Sequence, residues 1–155
     1  MKTICCAVIM CLLASTALAW SARCVGVSDG DTITVRAAGQ PKARIRLYGI
    51  DAPESKQDFG RRAKEHLSGL VFGEVVEIED MGADRYGRTV AVVRVEAINA
   101  NEEMLKAGMA WVFTKNCRNK ICVRWRELET QAQAKRIGLW SQPEPVAPWE
   151  WRKKT

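Results

Sequence analysis

The chain has 155 residues, 47% of them hydrophobic and 27% charged, with a formal net charge of +6. That length suits one domain with a proper apolar core and excludes two. The basic excess points to a polyanionic partner, nucleic acid first and anionic membrane or polysaccharide after it. A lone histidine, His66, and thiols without two CxxC-like pairs argue against a zinc site.

Lys2, the apolar run from Ile4 to Leu13 and Ala17-Leu18-Ala19 form a basic n-region, an h-region and a small-x-small cleavage site. Together they predict a secretory signal over residues 1–19, cleaved to leave a mature chain beginning at Trp20. The run is too short for a good transmembrane helix, so the expectation is an exported soluble protein, in a periplasm or outside the cell. The mature part would carry 23 basic and 18 acidic side chains, a charge of +5, because Lys2 is the only charge removed. Cys5, Cys6 and Cys11 leave with the signal, and Cys24, Cys117 and Cys122 then face an oxidising compartment. Three thiols allow three pairings; the short loop favours Cys117 with Cys122, leaving Cys24 as a free thiol or an intermolecular partner.

Along the mature chain, Val25 to Ser28, Ile33 to Ala37 and Ala43 to Tyr48 read as three strands in a meander, joined through Asp29-Gly30-Asp31 and Gly39-Gln40-Pro41. The period then changes: Ala63, Leu67, Leu70 and Val71 mark one face of a helix over Arg61 to Phe72, stopped by Gly73. Val75 to Met81 and Thr89 to Val95 predict two further strands around a tight polar connection. Asn99 or Asn101 caps a short helix that runs to Lys106 and ends at Gly108. A longer helix, Val123 to Ile137, shows Trp125, Leu128 and Ala132 on one face and Gly138 as its C-cap. The fold class is therefore α+β, mainly β: a five-stranded barrel of the oligonucleotide-binding (OB) type with three α-helices over residues 20–142. The tail, residues 143–155, holds Pro143, Pro145 and Pro148 with Trp149 and Trp151; it reads as too stiff for a helix and is expected to lie across the domain. A monomer is expected.

The chemistry concentrates around Arg44 to Glu54, where a strand carrying Arg46 runs into a turn carrying Asp51 and Glu54. In a meander, Asp31 and Asp51 can meet at one barrel end and offer hard oxygens to Ca²⁺ or Mg²⁺. Asp84-Arg85-Tyr86-Gly87-Arg88 brings another arginine to a strand end. Singly, DGDT is a hairpin turn and each charge a solvated surface group. Jointly they supply what phosphoryl transfer needs: a cation at the phosphate, forked donors for its oxygens and a carboxylate for water.

The segments VSDGDTITV (Val27 to Val35), RIRLYGIDAPE (Arg44 to Glu54) and DRYGR (Asp84 to Arg88) resemble the three signature segments of the staphylococcal-type thermonucleases, in the same order. The likeness continues through Asn101 to Ala110 and Gln131 to Trp140 and covers nearly all of the mature chain. The resemblance implies a Ca²⁺-dependent endonuclease that cuts DNA and RNA at the 5′ P–O bond and leaves 3′-phosphates, with Mg²⁺ a lesser choice of ion and single strands favoured. It assigns Asp31, Asp51 and the backbone carbonyl of Ala52 to the metal. Arg46 and Arg88 would bind the phosphate and stabilise its transition state, and Glu54 would position or deprotonate the attacking water. Arg85 and Tyr86 match positions that contact a terminal phosphate. The chain departs from the family at Ala52, where the best-known member has Thr, and in its short segment Ser55 to Gly60. It also lacks base-stacking tyrosines after Gly108, with Trp111 and Phe113 nearby instead.

The plainer expectations are a surface position for His66, packing over the barrel for Trp140, Trp149 and Trp151, and a solvated terminus at Arg152-Lys153-Lys154. The alternative to an enzyme is a catalytically inactive OB barrel that only binds single-stranded nucleic acid.

Overall fold

The computed structural model describes residues 19–154; the leader expected over residues 1–19 therefore lies, Ala19 apart, outside the described residues. Three consecutive strands, β1 (Ala19–Asp29), β2 (Thr32–Arg36) and β3 (Ala43–Leu47), form the expected meander. Next come a two-residue strand β4 (Ile50–Asp51), helix α1 (Gly60–Val71), and the hairpin strands β5 (Val75–Ala83) and β6 (Thr89–Val95). A short strand β7 (Ile98–Asn99), helix α2 (Ala100–Lys106), strand β8 (Trp111–Val112) and helix α3 (Ile121–Ala134) follow. A 3-10 turn (Gly138–Ser141) and helix α4 (Pro148–Trp151) complete the order.

β1 pairs with β2 on one side and with β5 on the other, and β6 returns to β3 in parallel, with Ile45 opposite Thr89 and Leu47 opposite Ala91. That last pairing closes the five strands β3-β2-β1-β5-β6 into a barrel and removes its open edges. Alternation decides which residues fill it. Ile33, Val35, Ile45, Leu47, Val76, Ile78, Ala91 and Val93 are buried, and α1 closes over them with Ala63, Leu67 and Val71. Arg44, on the other face of β3, is exposed as expected.

Three differences from the sequence reading have local causes. β1 begins well before Val25, because residues 19–23 find a partner in β5 that no local pattern reveals. Ile50 and Asp51 form a strand rather than a turn, since β8 supplies the pairing Ile50 with Val112 and Asp51 with Trp111. The tail does form one helical turn, with Pro148 at a first-turn position, where its missing N–H is no loss. Gly49 makes the tight entry to β4 possible: its φ is 67°, and a Cβ there would meet Cys117 Sγ at 2.6 Å and Trp125 Cζ3 at 2.8 Å.

Asn99 is the residue that caps α2, accepting from the Glu102 N–H, which leaves Asn101 for another role. Fully buried, Asn101 accepts from the Val93 N–H at 3.0 Å and donates to the Tyr48 carbonyl at 3.0 Å and the Ala91 carbonyl at 3.4 Å. It thus ties α2 to β6 and to the chain just before β4. Asn101→Ala would strand these backbone groups in the core, so a loss of about 2–4 kcal/mol of stability is expected from guanidinium unfolding midpoints.

Candidate active site

Two backbone contacts bring the acidic loops together. The Leu47 N–H donates to the Asp31 carbonyl at 2.8 Å, continuing the β2–β3 ladder past Thr32 and Arg46. The Ala52 N–H donates to Asp31 Oδ2 at 2.8 Å, drawing the end of β4 onto the β1–β2 turn. Asp31 and Asp51 are both buried, and Arg46 joins them: its Nη1 lies 2.6 Å from Asp31 Oδ2, as an ion pair without hydrogen-bond alignment, and its Nη2 donates to Asp51 Oδ1 at 2.8 Å. Burial pushes the Asp31 carboxyl up to about 7, with Arg46 pulling the other way and the neighbouring Asp29 and Asp51 charges adding to the rise.

Glu54 sits on a loop fastened by Gln57, whose N–H donates to the Glu54 carbonyl at 2.8 Å and whose Oε1 accepts from the Glu54 N–H at 3.1 Å. Gly60 opens α1 directly against this loop; a Cβ there would stand 1.9 Å from the Glu54 carbonyl oxygen. Lining the same cleft, Arg88 is aligned by Asp84, its Nε donating to Asp84 Oδ2 at 2.7 Å and its Nη1 to Thr32 Oγ1 at 3.3 Å. The Asp84 carboxyl stays below its ordinary range: burial opposes this, but the Arg88 and Tyr86 N–H groups and the Arg88 guanidinium outweigh it. Arg85 and Tyr86 stand exposed at the rim, with both Arg85 and Arg88 over the Tyr86 ring, 5.0 and 5.5 Å from its centroid.

Asp31, Arg46, Asp51, Ala52, Glu54, Arg85, Tyr86 and Arg88 therefore line one cleft of about 820 Å³. Lys115 and Arg118, to which the sequence pattern gave no role, also line it. Arg118 lies in the loop closed by the Cys117–Cys122 disulfide, and its N–H donates to the Tyr48 hydroxyl at 3.1 Å. Cys24 is free and buried inside β1, with its thiol pushed up by burial. Trp149 packs on Trp111 and Phe113, with centroids 5.7 and 5.4 Å away, so the tail lies against the domain as expected.

Two surface expectations need correction. His66 is half-buried, with Nε2 buried and without a hydrogen-bond partner, because its helix turns that nitrogen inward. Arg152 is not a solvated terminal charge. It donates to Asp51 Oδ2 at 2.7 Å and to Glu54 Oε1 at 2.6 Å, and these carboxylates hold its guanidinium above the ordinary value. Nothing near Arg152 in the sequence signals this, since its partners stand about 100 positions away.

As a donor set, two buried carboxylates beside a backbone carbonyl suit a hard divalent cation. Among the described residues no group of three or more His, Cys, Asp or Glu side chains is placed to hold a metal by itself. A divalent cation would thus have to be held by Asp31 and Asp51, with backbone and water oxygens needed to complete its shell.

Comparison with known proteins gives the family. The model of the staphylococcal nuclease homologues matches residues 44–142. The chain belongs to that family. It is 43% identical over 132 residues to an uncharacterized endonuclease of Haemophilus influenzae, covering 85% of this chain and 72% of that protein. It is 39% identical over 138 residues to the micrococcal nuclease of Shigella flexneri, covering 83% and 78%. The Protein ParB of Escherichia coli is similar at 42% over 140 residues, covering 84% and 78%. Membership and the two nuclease-named relatives support a staphylococcal-type endonuclease built on the closed OB barrel.

The raised Asp31 carboxyl of this nuclease homologue has a measurable consequence. Folding takes up protons at Asp31 between its unfolded value near 4 and about 7, so wild-type stability declines as pH rises through that window. In chelator at pH 8, Asp31→Asn is expected to unfold later than wild type by roughly 2–4 kcal/mol, and the gain should vanish below pH 4. Urea melts at the two pH values check both halves of the expectation.

Proposed function

We propose that the chain is an exported, Ca²⁺-dependent endonuclease that hydrolyses phosphodiester bonds of DNA and RNA and leaves 3′-phosphates. The observation that carries this reading is the convergence of two aspartates, two arginines and a glutamate, drawn from three separated segments, on one cleft. Asp31, Asp51 and the Ala52 carbonyl would hold Ca²⁺, which when bound supplies positive charge against the scissile phosphate.

The chain's own side chains do the rest. Arg88, aligned by Asp84 and Thr32, presents terminal amino groups to phosphate oxygens from one wall. Arg46 lines the cleft from β3, with its terminal nitrogens on Asp31 and Asp51, and turns to the phosphate as a bound cation takes over those carboxylates. Arg88 is fixed before substrate arrives, so its donors need little reorganisation as charge develops. Glu54, whose side chain is partly exposed and lines the cleft, accepts the proton of the attacking water. Lys115 and Arg118 add positive charge to the cleft for the rest of the strand. Family membership, the basic charge and the lack of a long apolar helix among the described residues support nucleic acid, rather than a bilayer, as the partner.

The test is to incubate purified residues 20–155 with denatured DNA and with RNA in Ca²⁺, Mg²⁺ or EDTA. Digestion in Ca²⁺, its loss in EDTA and 3′-phosphate ends are expected. Glu54→Gln should cut turnover by about 10²- to 10⁴-fold. Arg46→Lys should lose most of the activity, because an ammonium does not reproduce a two-armed donor. Near-wild-type turnover of Arg46→Lys would remove Arg46 from the transition state. Binding unchanged by EDTA, with no digestion in Ca²⁺, would instead identify an inactive nucleic-acid-binding barrel.

A further inference from the structure

The tail reaches the site by a series of anchors rather than by one chance contact. Gln142 donates to Asp58 Oδ2 at 3.2 Å, and the Val146 carbonyl accepts from Gln57 Nε2 at 2.6 Å, on the same Gln57 that fastens the Glu54 loop. Trp149 then seats in the aromatic cluster of Trp111 and Phe113. One helical turn later Arg152 enters the cleft. Its Nη2 is 2.7 Å from Asp51 Oδ2, and its Nη1 is 3.3 Å from Asp51 Oδ1 and 2.6 Å from Glu54 Oε1.

Occupancy at Asp51 is the deciding point. That side chain is 2% exposed, Arg46 takes its Oδ1, and Arg152 takes its Oδ2. Both oxygens are thus engaged by guanidinium groups, and neither is left for a cation. An ion at Asp51 and Arg152 at Oδ2 compete, since both call on the same oxygen of a carboxylate that is only 2% exposed with Arg152 in place. The Arg152 side chain is 44% exposed and belongs to none of the barrel strands, so it can withdraw without disturbing the barrel.

We propose that Arg152 is an internal competitor for the divalent cation: the tail parks its guanidinium between Asp51 and Glu54, and metal binds only as Arg152 gives up Asp51. The inference rests on the Ca²⁺ site proposed above. It makes the tail part of the active site, and it makes apparent metal affinity depend on the fraction of molecules in which Arg152 is away. If that fraction is about one in ten, the apparent dissociation constant is raised about tenfold over the intrinsic one.

Calcium titration by isothermal calorimetry at neutral pH tests this on four full-length mature proteins: wild type, Arg152→Gln, Arg152→Lys and Lys154→Gln. Arg152→Gln should bind Ca²⁺ about tenfold more tightly than wild type, with Arg152→Lys between them. Lys154→Gln removes the same unit of charge two residues away and should stay within about twofold of wild type. Equal affinity of Arg152→Gln and wild type would overturn the competition, and if both still digest DNA the nuclease reading stands. An equal gain in Lys154→Gln would also overturn it, because general charge would then account for the effect. Absence of calcium binding in all four would sink the Ca²⁺ site and the competition together.

Discussion

Two carboxylates buried side by side are the constraint from which the rest of this site follows. Asp31 comes from the β1–β2 turn and Asp51 from β4, 20 residues apart, and neither tolerates burial as an anion without a cation beside it. Arg46 meets both because β3 places it beside Asp31 through the β2–β3 ladder and beside Asp51 through the turn at Gly49. The parallel closure of β3 on β6 fixes that strand, and Asn101 fixes the chain leaving it. A site that attracts cations is therefore a product of barrel closure, not of the loops alone.

The distribution of charge around the cleft follows the same logic. Arg88 has its own acid, Asp84, in a four-residue ion pair, and so leaves the two aspartates to other cations. Arg46 answers part of their demand, and the tail brings Arg152 for the remainder. Glu54, less buried, shares Arg152 with Asp51 and keeps contact with solvent. Exposure separates the three acids: Asp31 and Asp51 are dry, and Glu54 is wet.

Much of this was legible in the sequence, for reasons that can be named. Period-two runs placed β2, β3 and β6 to within a residue or so, and the i, i+4, i+7 pattern placed α1, because burial on one face leaves a periodic trace. The convergence of Asp31 with Asp51 followed from strand adjacency alone. What local pattern does not carry is pairing between distant segments. The early part of β1, the two-residue β4–β8 pair and the clamp at Asn101 all depend on partners far along the chain. Arg152 is the extreme case: a charged residue among charged residues, given its place by a rigid tail and an aromatic anchor. Pro148, read as a helix breaker, instead starts the turn that aims it.

Cys24 gives the barrel a property of a different kind. It is the one free thiol among the described residues, 1% exposed, on a strand paired on both sides, where β1 meets β2 and comes against the end of α1. A thiol reagent added to the folded protein cannot reach it until β1 separates from its neighbours. Labelling kinetics at this sulfur therefore time the opening of the barrel, as a clock already installed in the chain, and a ligand that holds the folded state should slow it.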